Sequence, residues 1–139
     1  MKLKILILED DQNRINLFQK HLIGHEVVVT DKVDECIDYL KEGGFHFLFL
    51  DHDLGGRVYV ESGGDEPTGY DVAKWLSETE ENIFILHTIV HSLNEWGRKN
   101  ILGLLKDSKF NASEIPFIWT KDNLSEVLVE TFNELTMKR

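Results

Sequence analysis

Two apolar stretches of this chain stop abruptly at acids. Leu3 to Leu8 runs into Glu9, Asp10 and Asp11, and Phe45 to Leu50 runs into Asp51 and, after His52, Asp53. If both stretches are neighbouring strands, Glu9, Asp10 and Asp51 converge and repel one another unless a cation lies between them. Oxygen ligands without Cys or clustered His select a hard ion, Mg2+, Mn2+ or Ca2+, over zinc. Ser92 and Lys121 each follow a further buried strand, so a hydroxyl and an ammonium face the same acids. A divalent ion, a hydroxyl and an ammonium around one carboxylate make a phosphoryl site, because charge on the phosphate oxygens is neutralised from several sides.

His52 and His91 adjoin the same strand ends, and an imidazole, with its pKa of about 6.5, can give or take a proton at neutral pH. Two readings stay open for His52. It acts with His91 as an acid–base pair on a cyclic phosphodiester, or it turns away from Asp51, as strand neighbours do, and hydrogen-bonds a loop carbonyl. Arg98 and Lys99 fall in the first turn of a helix, where a cation is awkward without an anion to bind, and Arg98 can grip phosphate through two N–H groups. His87 and His91 are roughly 13 Å apart on a strand and cannot share an ion, so His87 reads as a hydrogen-bonded core or interface residue. His21, His25 and His46 receive no role, and Cys36 a structural one. Trp75, Trp96 and Trp119 read as packing residues, with Trp96 close enough to the site to stack on a base.

The elements that must carry these groups alternate. Leu3–Leu8, Val27–Val29, Phe45–Leu50, Ile83–Val90 and Ile115–Trp119 read as strands. Helical spacing follows each: Ile15, Phe18 and Leu22; Val33, Ile37 and Leu40; Val72, Ala73 and Leu76; Ile101, Leu104 and Leu105; Leu124, Val127, Leu128 and Leu135. This (βα)5 order predicts a parallel five-stranded sheet with helices on both faces and a ligand site at the carboxyl ends of its strands. Between Gly55 and Gly69 a Gly-rich insert interrupts the order after the third strand. It reads as a functional flap, with Arg57 to Glu61 a candidate flap strand.

A length of 139 residues suits one domain, 1–139, since two cores would each be marginal. Fifteen Lys and Arg against twenty-five Asp and Glu leave a formal charge of −10, which repels polyphosphate and argues against extended nucleic-acid binding. Cys36 is the single cysteine, so no internal disulfide forms and a reducing, cytoplasmic setting is expected. The run Leu3–Leu8 is too short for a membrane span and lacks the shape of a signal peptide.

Leu6-Ile7-Leu8-Glu9-Asp10-Asp11, Phe49-Leu50-Asp51, Ser92, and Trp119-Thr120-Lys121 followed by Leu124-Ser125-Glu126-Val127-Leu128 resemble the receiver domain of bacterial response regulators over essentially the whole chain. The resemblance implies a flavodoxin-like fold in which Glu9 and Asp10 hold Mg2+, the backbone of Asp53 completes the metal shell, and Asp51 corresponds to the phosphoacceptor. It also implies Ser92 as switch hydroxyl and Lys121 as phosphate-binding lysine. Asp122 stands where receivers usually carry proline, Leu54-Gly55-Gly56 replaces a proline-containing turn, and the insert to Gly69 is long. Asp51-His52-Asp53-Leu54-Gly55-Gly56, Thr68-Gly69, Val90-His91-Ser92-Leu93-Asn94 and Gly97-Arg98-Lys99-Asn100 are similar to an atypical branch, the cyclic-phosphate-processing receivers.

Two functions follow. In one, the chain binds or processes a small cyclic or terminal phosphate, or an RNA end, as a phosphoesterase dependent on Mg2+ or Mn2+. In the other, it is a phosphorelay receiver phosphorylated on Asp51 that signals through a protein partner. Neither needs a membrane.

Overall fold

The computed structural model describes residues 1–54, 60–115 and 123–137. It runs β1 (Lys4–Leu8), α1 (Gln12–His21), β2 (Glu26–Thr30), α2 (Val33–Glu42), β3 (Phe45–Leu50), α3 (Gly69–Glu78), β4 (Ile85–Val90), α4 (Glu95–Lys106), β5 (Ala112–Glu114) and α5 (Leu124–Met137). All pairings are parallel and the strand order is β2-β1-β3-β4-β5. The chain therefore reverses its direction of travel across the sheet between β1 and β3. In such a sheet the crevice at that reversal opens at the carboxyl ends of the strands. Glu9 leaves β1 there, Asp51 leaves β3, and His91 leaves β4.

Strand periodicity sorts the apolar residues onto two faces. Ile5, Ile7, Phe47, Phe49 and Ile89 pack with Phe18 and Leu22 of the α1 region and with Leu124 and Leu128 of α5. Leu6, Leu8, Leu48, Leu50 and Val90 pack with Cys36 and Leu40 of α2, Val72 and Leu76 of α3, and Ile101 and Leu105 of α4. A central parallel strand covered on both sides must be apolar at every position, which is why β1 and β3 read as unbroken runs.

Two helix starts bear on the site. Asp11 is the N-cap of α1 and its carboxylate accepts from the Arg14 amide, which fixes the first turn directly after the acids. Thr68 opens α3 through a capping box with Asp71. Gly69 then lies so close to β3 that a Cβ there would come within 1.9 Å of the Asp51 carbonyl oxygen, so only glycine fits.

Some boundaries differ from expectation. The fifth strand is Ala112–Glu114 rather than a segment starting at Ile115: Thr88 pairs with Ala112 and Val90 with Glu114, and the Ile115 amide closes the ladder on the Val90 carbonyl at 2.8 Å. An edge strand needs only backbone partners on one side, so Ala-Ser-Glu serves without an apolar pattern. Residues 116–119 of the expected strand lie outside the described residues. Ile83 and Phe84 precede β4, which begins at Ile85. Of the expected flap strand, Val60 and Glu61 are not in a strand, and 55–59 lie outside the described residues. Among the described residues, no helix is long and apolar enough to cross a membrane.

Candidate functional site

Glu9 is the centre of the crevice. It is fully buried, and its carboxylate collects five donors. The amides of Asp10 and Asp11 reach Oε2 at 3.0 and 3.1 Å, as the chain turns from β1 into α1. Arg14 clamps both oxygens, Nε to Oε1 at 2.8 Å and Nη2 to Oε2 at 2.9 Å. His91 Nε2 lies 3.0 Å from Oε1, its ring standing edge-on to Phe18 and Phe49. Burial works to raise the Glu9 pKa, but the hydrogen bonds from His91 and Arg14 outweigh it and hold the carboxyl well below the usual range.

Asp51 is the second buried acid, with Oδ2 at 3.3 Å from Arg14 Nη2. Burial first, and the Glu9 charge second, push its pKa up to about 8, while Arg14 and the Ser92 hydroxyl pull the other way. The raised value of Asp51 leaves Glu9 and Arg14 as the charged pair of the cluster. Glu9, Asp51 and His91 each offer one ligand atom, all within 4.8 Å of one another. Two carboxylates and an imidazole are suitable donors for a divalent ion, so the residue types fit one; Arg14 already bridges both carboxylates.

Residues 5–107 match the family model described as the cyclic-phosphate processing receiver domain. The chain belongs to this family. The receiver fold is also similar to solved structures. NtrX from Brucella abortus matches with a TM-score of 0.66 at 18% identity, over 100% of this chain and 29% of that one. The receiver domain of sensor histidine kinase PA1611 from Pseudomonas aeruginosa PAO1, with magnesium coordinated in its active-site cleft, matches at 0.65 and 14%, over 96% and 99% of the two chains. The response regulator TrrA from Thermotoga maritima, in complex with Mg2+ and BeF, matches at 0.61 and 18%, over 94% and 99%. At these identities the likeness is one of fold. The chain spans about 29% of the length of NtrX. No curated protein matches the sequence.

Within this receiver-family chain the expected site residues divide into groups. Glu9, Asp51 and His91 come together, with Asp10 half-buried next to them and the buried Ser92 hydroxyl acting on Asp51. His52 and Asp53 belong to a second polar cluster. The His52 ring is fully buried, with Nδ1 at 2.8 Å from Asp53 Oδ1 and Nε2 at 2.7 Å from Ser62 Oγ. Asn94 Nδ2 and the Val60 amide donate to the same Asp53 oxygen at 3.0 and 3.1 Å. The partners of His52 are thus a carboxylate and a hydroxyl rather than a loop carbonyl. α4 passes directly over the ring, because Gly97 has no Cβ to strike it.

Arg98 donates through Nη1 to the Ser92 carbonyl, which closes the turn between β4 and α4. Lys99 pairs with Glu95 on the surface at 3.1 Å. Lys121 lies outside the described residues. Trp96, expected in packing, is 76% exposed beside the cleft lined by Val60, Glu61, Ser62, Asn94 and Asn100. His87 bonds Ser113 Oγ at 2.8 Å and so ties β4 to β5.

Sequence reasoning missed Arg14 and Ser62. A signal for Arg14 was present: it is a cation in the first turn of a helix, immediately after three acids, the same argument that singled out Arg98.

Proposed function

We propose that this chain binds a small phosphate, cyclic or terminal, at the carboxyl edge of its sheet and that Asp51 is the carboxylate that meets it. The observation that carries the reading is the buried Glu9–Asp51–His91 cluster at the ends of three adjacent strands, in a chain whose family is described by cyclic-phosphate processing. Glu9 and Asp10, with Asp51 and the Asp53 backbone, would hold Mg2+, which supplies neutralising charge to the phosphate oxygens when bound. The chain's own groups do the rest. With the ion bound Asp51 would be ionised, and its carboxylate can accept a proton from the water that attacks phosphorus, while the leaving oxygen takes its proton from solvent as the ring P–O bond breaks. The Ser92 hydroxyl and the Lys121 ammonium orient the phosphate, Arg98 sets the loop that carries Ser92, and His91 fixes Glu9. His52 acts from behind, by holding Asp53 and Ser62. A cytoplasmic setting suits Cys36, which is fully buried and whose thiol burial pushes up to about 12.

The test is hydrolysis of 2′,3′-cyclic nucleotides and of RNA with a cyclic-phosphate end, in Mg2+ or Mn2+, by wild type, Asp51→Asn and His91→Ala. Loss of the Asp51 general base in Asp51→Asn slows turnover about 10²–10⁴-fold. No binding and no turnover with any cyclic or terminal phosphate refutes the proposal.

One observation favours a second reading. The Ser92 hydroxyl acts on Asp51 and lowers its pKa, which supports a reading in which Asp51 is phosphorylated and the chain signals to a protein partner. A beryllofluoride adduct on wild type, absent in Asp51→Asn, with no cyclic-phosphate turnover, selects this reading.

A further inference from the structure

We propose that Arg14 is a built-in cation that holds the divalent-metal position of the acidic cluster, so that guanidinium and metal ion are alternative occupants of one site. The inference rests on the metal part of the function proposed above. It begins with how full Glu9 is. An ionised carboxylate has about four lone-pair sites, and Glu9 already accepts from Arg14 Nε, Arg14 Nη2, His91 Nε2 and the amides of Asp10 and Asp11. The two amides are fixed by the turn from β1 into α1, and His91 is wedged against Phe18 and Phe49. Arg14 is the donor able to leave, because it sits on a side chain of the first helical turn that is 23% exposed. A metal–oxygen bond to Glu9 therefore needs Arg14 to release at least one oxygen.

Position and charge point the same way. The first turn of a helix disfavours a cation, and what offsets this for Arg14 is its two-pronged grip on Glu9 with a further contact to Asp51 at 3.3 Å. One guanidinium offsets one carboxylate charge, whereas a divalent ion could offset two. Swinging Arg14 outward leaves the α1 cap in place, since Asp11 accepts from the Arg14 backbone and not from its side chain. Metal entry and Arg14 exit are then one exchange, and the apparent metal affinity is reduced by whatever the bidentate pair contributes. A charge-assisted bidentate pair of this kind corresponds to roughly 10–100-fold in an equilibrium constant.

The experiment is a Mg2+ titration of the full chain by calorimetry, on wild type, Arg14→Gln and Arg14→Ala, with the 1H–15N signal of the Arg14 side-chain Nε followed in parallel. The expected result is Mg2+ binding about 10–100-fold tighter in both variants. In wild type the Arg14 Nε signal moves to the position of a solvent-exposed arginine as Mg2+ saturates. Wild type that binds Mg2+ as tightly as the variants, or an Arg14 signal unmoved at saturation, overturns the exchange and leaves the metal site standing. No Mg2+ binding by any of the three proteins removes the metal from the proposed function as well. If a variant fails to fold, the wild-type Nε signal still decides the matter.

Discussion

Gly97 offers a sharp test of the packing that separates the two polar clusters. A Cβ at this position would fall 2.3 Å from His52 Cγ, 2.6 Å from Cδ2 and 2.7 Å from Nδ1, against an ordinary contact of at least 3.4 Å. The ring would have to retreat by 3.4 − 2.3 = 1.1 Å. It has nowhere to go, being fully buried and held at both nitrogens by Asp53 and Ser62. Overpacking of this size costs about 1–3 kcal/mol, and each ring hydrogen bond lost adds about 1 kcal/mol. The better helix propensity of alanine returns about 1 kcal/mol, so Gly97→Ala should destabilise by about 1–4 kcal/mol in urea unfolding. In a His52→Ala background the obstacle is gone, and the same substitution should be neutral or stabilising. Gly103, in the same helix with nothing within 4 Å of its would-be Cβ, is the internal control, and Gly103→Ala should stabilise. An equal cost of Gly97→Ala with and without His52 would refute the reasoning, because the two sites would then be uncoupled.

Asp51 and the N-terminal histidines give opposite pH signatures. Burial and Glu9 raise the Asp51 pKa from 3.8 to about 8, so the folded chain holds a proton that the unfolded chain gives up. Stability from this group therefore falls as pH rises through that window, and in metal-free buffer the melting temperature of Asp51→Asn should gain on wild type between pH 5 and 8.5; a constant difference would count against it. Burial lowers the pKa of both His25 and His46, whose Nδ1 atoms accept the amides of Leu3 at 3.0 Å and Lys4 at 2.9 Å. Their contribution is complete above the ordinary histidine pKa of about 6.5 and is lost as pH falls through the lower folded values. NMR titration of either ring with a midpoint at or above 6.5 would contradict the acceptor role.

The parts of the fold that the residues announce are those buried on both sides. β1, β3 and β4 have no solvent face, so composition alone marks them, and the alternation with helices then leaves few topologies. β5 was misplaced for the opposite reason. Ala112, Ser113 and Glu114 are at most half-buried, and their place in the sheet is set by register with Thr88, Ile89 and Val90 and by the His87–Ser113 bond rather than by an apolar pattern. The roles of His25 and His46 were equally hidden, since each serves a backbone amide more than twenty positions away in sequence and no periodicity encodes such a contact.

At the site, the acids were legible because charge at the end of an apolar strand has few structural uses. The partners were less so. His52 and His91 follow adjacent strands and look alike in sequence, yet His91 leans on Phe18 and Phe49 over the α1 side of the sheet, while His52 lies under Gly97 of α4. On their different faces His91 bonds Glu9 and His52 bonds Asp53. The argument that a cation in a first helical turn needs an anion holds for both arginines, but each is answered from within the chain. For Arg14 the anion is Glu9, a full charge of the strand just finished. For Arg98 it is the Ser92 carbonyl, a partial one. A phosphate arriving at this edge therefore meets Arg14 already engaged by Glu9, whereas Arg98 gives one of its five N–H donors to Ser92 and keeps its buried Nε unpartnered among the described residues.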